Sequence, residues 1–175
     1  MDNGDLLEHI RLVPDFPKPG IMFYDITTLL QQPYAFKETI ERIANSWKNA
    51  KIDTLVAIDA RGFLLGSALA YKLGVGLTLV RKANKLPFKT ISTTYDLEYA
   101  SATLEMHVDA CQPGQRVLIV DDLLATGGTV AATIKLVKQY HAQIIGCSFL
   151  LELMALNGRE QLGDLQVKSL IQIEA

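Results

Sequence analysis

Two rhythms of apolar positions alternate along the chain. Residues 5–13, DLLEHIRLV, carry apolar side chains at helical spacing and predict a helix. PDFPKPG then breaks the pattern with three prolines and a glycine, which predicts an extended arm or loop. Residues 33–48 predict a helix opened by Pro33, with Ala35, Phe36, Ile40, Ile43, Ala44 and Trp47 as its apolar stripe. TLVAID, residues 54–59, is a short apolar run ending in an acid, and ARGFLLGSALAYKL after it predicts a helix closed near Gly74. LTLV, residues 77–80, is the next strand. Residues 81–99 are basic, then polar and rich in threonine, which predicts a mobile loop with weak strand character. TLEMHV, residues 103–108, alternates as a half-buried strand does, and CQPGQ is a turn.

RVLIVDD, residues 116–122, is apolar on both faces, as a central parallel strand must be. TVAATIKLVKQY predicts an amphipathic helix with Ile134, Leu136 and Val137 among its apolar positions. IIGCSFLLEL and VKSLIQI are two further strands. Strands alternating with helices predict an α/β fold, a mostly parallel sheet flanked by helices. Ligands in such folds sit at the carboxyl ends of the strands, here at Asp59, Arg81 and Asp121.

Composition narrows the picture. The 175 residues fit one domain, and 49% hydrophobic with 21% charged residues is the balance of a globular chain. Seventeen Lys and Arg against nineteen Asp and Glu leave a net charge of −2, which excludes a broadly cationic nucleic-acid surface but not a local cationic pocket. Cys111 and Cys147 stand far apart and form no CxxC, so neither a disulfide framework nor a thiolate zinc site is expected, and two free thiols fit a reducing compartment. His9, His107 and His141 lack metal-ligand spacing, so surface or cap positions are expected. The acidic start MDNGDLLEH is unlike a signal peptide, and no apolar run reaches the ~18 residues that span a bilayer. A soluble cytoplasmic protein, without membrane or nucleic-acid partners, is the expectation.

The chemistry concentrates in VLIVDDLLATGGTVAATI, residues 117–134. A buried strand ends in Asp121 and Asp122, and the short loop LLATGG leads into a helix near Gly128 and Thr129. Small residues let backbone amides approach an anion, and a helix start offers unpaired N–H groups with partial positive charge. Thr126 and Thr129 add hydroxyl donors. This is chemistry for a phosphate monoester. Two carboxylates would repel a phosphate, but they suit a sugar diol beside it, and together the features describe a ribose 5-phosphate. An ordinary helix cap would also carry Asp and Thr. The buried strand, paired acids and paired threonines favour the ligand. No GxxxxGK[ST] loop is present, and Gly74-Val75-Gly76 lacks the third glycine of a dinucleotide fingerprint because Leu79 stands there.

VLIVDDLLATGGT resembles the phosphoribosyl-diphosphate motif of the type I phosphoribosyltransferases. FPKPGIMFYDIT, DARGFLLG, RKANKLP, YDLEYA and ELMALNGREQL resemble the adenine-specific members of that family, from about Phe16 to the C-terminus. The resemblance implies a phosphoribosyltransferase domain over residues 1–175, with residues 1–32 as an arm or hood that helps form the base site. It implies transfer of the 5-phosphoribosyl group from phosphoribosyl diphosphate to adenine, giving AMP and diphosphate, with magnesium carried mainly by the substrate and no direct protein ligand to metal. A homodimer is implied too.

By the same resemblance, Ala125, Thr126, Gly127, Gly128 and Thr129 would hold the 5-phosphate, and Asp121 and Asp122 the ribose hydroxyls. Arg61 would meet the diphosphate, from a loop that in this family often holds a cis peptide, here Asp59–Ala60. Arg81, Lys82 and Lys85 would reach the same crevice, where a solvated basic loop is the plain alternative. Glu98 would manage a proton on the purine, next to Tyr99 of the donor site. Met22, Phe23 and Tyr24 would read adenine, largely through backbone groups, with Leu123 on its other face. Tyr24 stands where many members have arginine, and Asn84, Phe88 and Ala100 where glycine is common. Two alternatives remain open. One is the same fold acting on guanine, xanthine or orotate, against which the arm and LEY segments argue. The other is a non-catalytic ligand sensor, for which a fused DNA-binding domain would be expected.

Overall fold

The computed structural model describes residues 4–96 and 101–174. A seven-stranded sheet has the order β5-β6-β4-β3-β7-β8-β9. Its parallel part is β4 (Gly76–Lys82), β3 (Thr54–Ile58), β7 (Arg116–Leu124), β8 (Gln143–Leu153) and β9 (Val167–Ile173). An antiparallel edge is formed by β5 (Thr90–Asp96) and β6 (Ser101–His107). Helices cover both faces, so the expected fold class holds.

The central strands explain why both faces are covered. Along β7, Leu118 and Val120 enter one core, while Val117 and Ile119 enter the other. Successive side chains of a strand point to opposite faces, so a run apolar throughout must be buried twice. The first core takes α2 (Thr27–Gln31), α3 (Pro33–Ser46) and α4 (Arg61–Leu73) through Leu29, Ile43, Leu65 and Leu69. The second takes α5 (Gly128–Lys138) through Val130, Ile134 and Val137. Pro33 opens α3 at its first turn, and Gly74 closes α4 in the left-handed conformation at φ 67°. Cys111 and Cys147 are buried and free. Burial pushes the two thiols up to about 11 and about 12, so neither is a nucleophile at neutral pH.

Two predicted segments come out differently. In place of one helix over residues 5–13 there is a single turn, α1 (Gly4–Leu7), and then β1 (Arg11–Pro14). β1 pairs antiparallel with β2 (Met22–Asp25), and Arg11 meets Asp25 across the pair at 3.7 Å. The helical spacing is real only for Leu6 and Ile10, which both reach the core; the chain then turns outward and leaves Leu12 half exposed. Of the loop with weak strand character predicted over residues 81–99, the described part is strand at Arg81–Lys82, where β4 ends, and at Thr90–Asp96, which is β5, with an irregular stretch over 83–89 between them. Within β5, Ile91, Thr93 and Tyr95 are half-buried, while Ser92 and Thr94 are exposed. The alternation was present but written in threonine, which suits either face. Helix α3 also ends at Ser46, short of residue 48.

Candidate active site

The carboxyl ends of β3, β4 and β7 and the amino ends of α4 and α5 meet at one place. A cavity of about 490 Å3 is lined there by Asp59, Ala60, Arg61, Lys82, Tyr95, Ala102, Leu104, Asp121, Asp122, Leu123 and Thr129. A smaller hollow of about 90 Å3 adjoins it, lined by Asp121, Leu123 and residues 125–130. Asp121, Leu123 and Thr129 belong to both.

The small hollow is the start of α5. Gly127 caps the helix at φ 84°, a left-handed conformation that residues with a Cβ rarely adopt, and no side chain caps the helix. The first turn therefore keeps unsatisfied N–H groups and carries no acidic residue. The loop is seated from below by Gly158, where an added Cβ would collide with the Ala125 carbonyl; one on Gly127 would collide with the Gly158 carbonyl. Gly158 opens a 3₁₀ turn, Gly158–Leu162. Arg159 in that turn holds the buried Glu152 of β8 by two hydrogen bonds of 2.5 and 2.6 Å. Burial alone would raise the Glu152 carboxyl, but the Arg159 hydrogen bonds and charge outweigh it and hold the group below its ordinary value. The NGRE segment thus packs under the loop of residues 125–128 that leads into α5. Its sequence did not disclose that role.

The larger cavity carries mixed charge. Arg61 Nε donates to Asp122 Oδ2 at 2.5 Å, and the Arg61 guanidinium lies 5.0 Å from the Phe23 ring centroid. Arg81 Nε donates to Asp59 Oδ2 at 3.4 Å, and its Nη1 donates to the Lys85 carbonyl at 3.1 Å. Burial drives the Asp121 carboxyl well above the usual carboxylate range; the Asp122 charge adds to the rise, and Arg61 opposes it. Helix α4 comes this close because residue 62 is glycine. A Cβ there would lie 2.8 Å from Asp121 Oδ1 and 3.0 Å from the Val120 carbonyl. The Asp59–Ala60 peptide ahead of α4 is cis, as the resemblance implies.

Most of the predicted residues are brought together. Arg61, Lys82, Asp121, Asp122, Leu123 and residues 125–129 line the two hollows. Arg81 reaches the rim through Asp59. Lys85 contributes its carbonyl to Arg81, and its side chain is exposed. Phe23 joins the site through Arg61, whereas Met22 and Tyr24 flank it on β2 outside the lining residues. Glu98, Tyr99 and Ala100 lie outside the described residues. Asn84 takes the left-handed conformation at φ 63°, which asparagine tolerates well. Phe88 needs none, and its ring sits edge-on to His107 at 6.2 Å between centroids. Tyr95, Gly62 and Gly158 were missed. All three lie inside segments that carry the family resemblance, Tyr95 at the start of YDLEYA, Gly62 in DARGFLLG and Gly158 in ELMALNGREQL, but nothing local in those segments assigned them a role.

Among the described residues no cluster of three or more His, Cys, Asp or Glu could hold a metal ion. Asp59 and Asp122 are engaged by arginines.

Comparison with known proteins agrees with this geometry. The phosphoribosyl transferase domain family matches residues 25–174. An adenine phosphoribosyltransferase of Syntrophotalea carbinolica is 56% identical, over 96% of this chain and 98% of its own. The crystal structure of the adenine phosphoribosyltransferase of Thermoanaerobacter pseudethanolicus superposes with a TM-score of 0.96 at 48% identity, covering 98% of this chain and 99% of that one. The Saccharomyces cerevisiae enzyme, solved with an imino-altritol bisphosphate and adenine, gives 0.90 at 38% identity, covering 96% and 97%. Matched almost end to end in sequence and in backbone, the chain belongs to the phosphoribosyl transferase family, on its adenine phosphoribosyltransferase branch.

Proposed function

We infer that this chain is a purine-salvage enzyme that transfers the 5-phosphoribosyl group from phosphoribosyl diphosphate to adenine, giving AMP and diphosphate. The observation that carries the reading is the contact between two hollows: an uncapped helix start that suits a phosphate, and beside it paired aspartates with arginines. The donor has this charge layout, with a phosphate at one end, a diol in the middle and a diphosphate at the other end.

In this reading the backbone of residues 125–129 and the hydroxyls of Thr126 and Thr129 hold the 5-phosphate. Asp121 and Asp122 accept hydrogen bonds from the ribose hydroxyls. Arg61 leaves Asp122 as the donor arrives and turns to the diphosphate, joined by Arg81, Lys82 and Lys85. Arginine suits bidentate phosphate contact, and lysine acts as a point charge. Met22, Phe23 and Tyr24 of the arm, residues 1–32, present backbone groups to adenine, and Leu123 packs on its other face. Glu98 handles the purine proton while the base nitrogen attacks the anomeric carbon and diphosphate leaves. Tyr99 belongs to the donor-binding set. Magnesium, held by donor oxygens and water, would supply charge neutralisation at the diphosphate.

The protein acts as a homodimer, which sedimentation will test. Two free thiols that stay protonated suit the reducing cytoplasm.

The deciding experiment offers the purified protein magnesium, phosphoribosyl diphosphate and each nucleobase in turn. AMP from adenine alone is expected. Product from guanine or xanthine, or none from adenine, overturns the reading.

A further inference from the structure

Tyr95 belongs to no part of the reading above, yet it touches the centre of the site. It stands on β5, the outermost strand, and its hydroxyl lies 3.1 Å from Thr129 Oγ1. Its ring packs against the start of α5, with Cδ2 3.8 Å from where a Gly128 Cβ would be. Thr129 in turn lines both hollows.

We infer that Tyr95 is a positioning residue for the phosphate loop, fixing the Thr129 hydroxyl as a proton donor to the 5-phosphate. The argument follows from donor and acceptor counts and rests on the functional reading above. A threonine hydroxyl has one proton and two lone pairs, and an ionised phosphate can only accept. When Thr129 gives its proton to the phosphate, its lone pair is left for the Tyr95 O–H. The chain then runs one way, from Tyr95 to Thr129 to phosphate, and each hydrogen bond polarises the next. Thr129 is the second residue of α5, so no preceding helical turn fixes its hydroxyl; the Tyr95 contact at 3.1 Å holds it where Thr129 lines both hollows. Three positions further along the chain stands Glu98, so the same contact ties the strand leading to that residue to the phosphate site.

The test is a double-mutant cycle on the full chain, read by calorimetric binding of ribose 5-phosphate, with adenine as the control ligand. Tyr95→Phe keeps the ring and removes only the hydroxyl. It is expected to weaken ribose 5-phosphate binding roughly 3- to 10-fold, the worth of one hydrogen bond, while adenine binding stays put. Thr129→Val should weaken it at least as much. In the Thr129→Val background the Tyr95 change should cost nothing further. In turnover, the KM for phosphoribosyl diphosphate should rise in Tyr95→Phe by more than kcat falls. Losses that multiply in the double variant would overturn the proposal. So would unchanged ribose 5-phosphate affinity in Tyr95→Phe, or an equal loss for adenine, which marks a merely structural role. The wild type's failure to make AMP would sink the functional reading alone, because the cycle is measured by binding.

Discussion

At the scale of single residues, the site depends on what is left out as much as on what is present. Gly62 lets α4 meet the end of β7, and an alanine there would press on Asp121 Oδ1 and the Val120 carbonyl. Gly62→Ala should therefore cost roughly 1–3 kcal/mol of stability and reduce donor affinity more than adenine affinity, measured by denaturant unfolding and calorimetry. Asp121 shows the electrostatic side. Its carboxyl is raised mainly by burial, so the ligand-free fold disfavours its ionised form. The stability it allows is complete below the ordinary carboxylate value and falls as pH rises from there towards the raised folded value. Asp121→Asn removes that dependence. The variant's melting temperature should gain on the wild type as pH rises through this window, while its use of phosphoribosyl diphosphate falls by orders of magnitude. A constant difference between the two across pH would refute the raised carboxyl.

At the scale of elements, the NGRE turn has a mechanical task. Gly158 packs under Ala125 and Gly127, and the next residue, Arg159, is pinned to Glu152, so loss of that pair is expected to shift the turn. Arg159→Ala strands a buried carboxylate on β8 and should destabilise the fold by ~3 kcal/mol. The displaced loop should also raise the KM for phosphoribosyl diphosphate roughly tenfold, since small misplacements in a site are costly. Because Arg159 holds the Glu152 carboxyl below its ordinary value, the pair's contribution is present at neutral pH and fades as pH falls through that lowered value. In Arg159→Ala the acid limb of the stability curve should flatten. Denaturation midpoints measured from neutral pH down through that lowered value will test this; an unaltered limb would show that the pair does not hold the turn.

At the scale of the whole molecule, two helix starts and the arginines around them gather at one end of the sheet within a chain of net charge −2. Ribose 5-phosphate at a hundred times its Kd should add about 2.7 kcal/mol, raising the melting temperature by roughly 5–10 °C. An Asp121→Asn, Asp122→Asn double variant should lose most of that protection. The sequence alone determined the elements that bury two faces or one stripe, from β3 through α5 to β9 with the exception of β5, because apolar periodicity is a local consequence of backbone geometry. It also located the glycine- and threonine-bearing loop before α5, because its glycines, threonines and helix start lie within a few consecutive residues. Only the tertiary structure decided what distant segments do to one another. The arm became a β-hairpin because β1 found β2, whatever helical spacing Leu6 and Ile10 suggested. Arg61 came to bridge Phe23 and Asp122, Gly158 came to lie under the loop, and Tyr95 reached Thr129. Such contacts depend on how the chain returns upon itself, and a residue's own neighbours in sequence carry no trace of them.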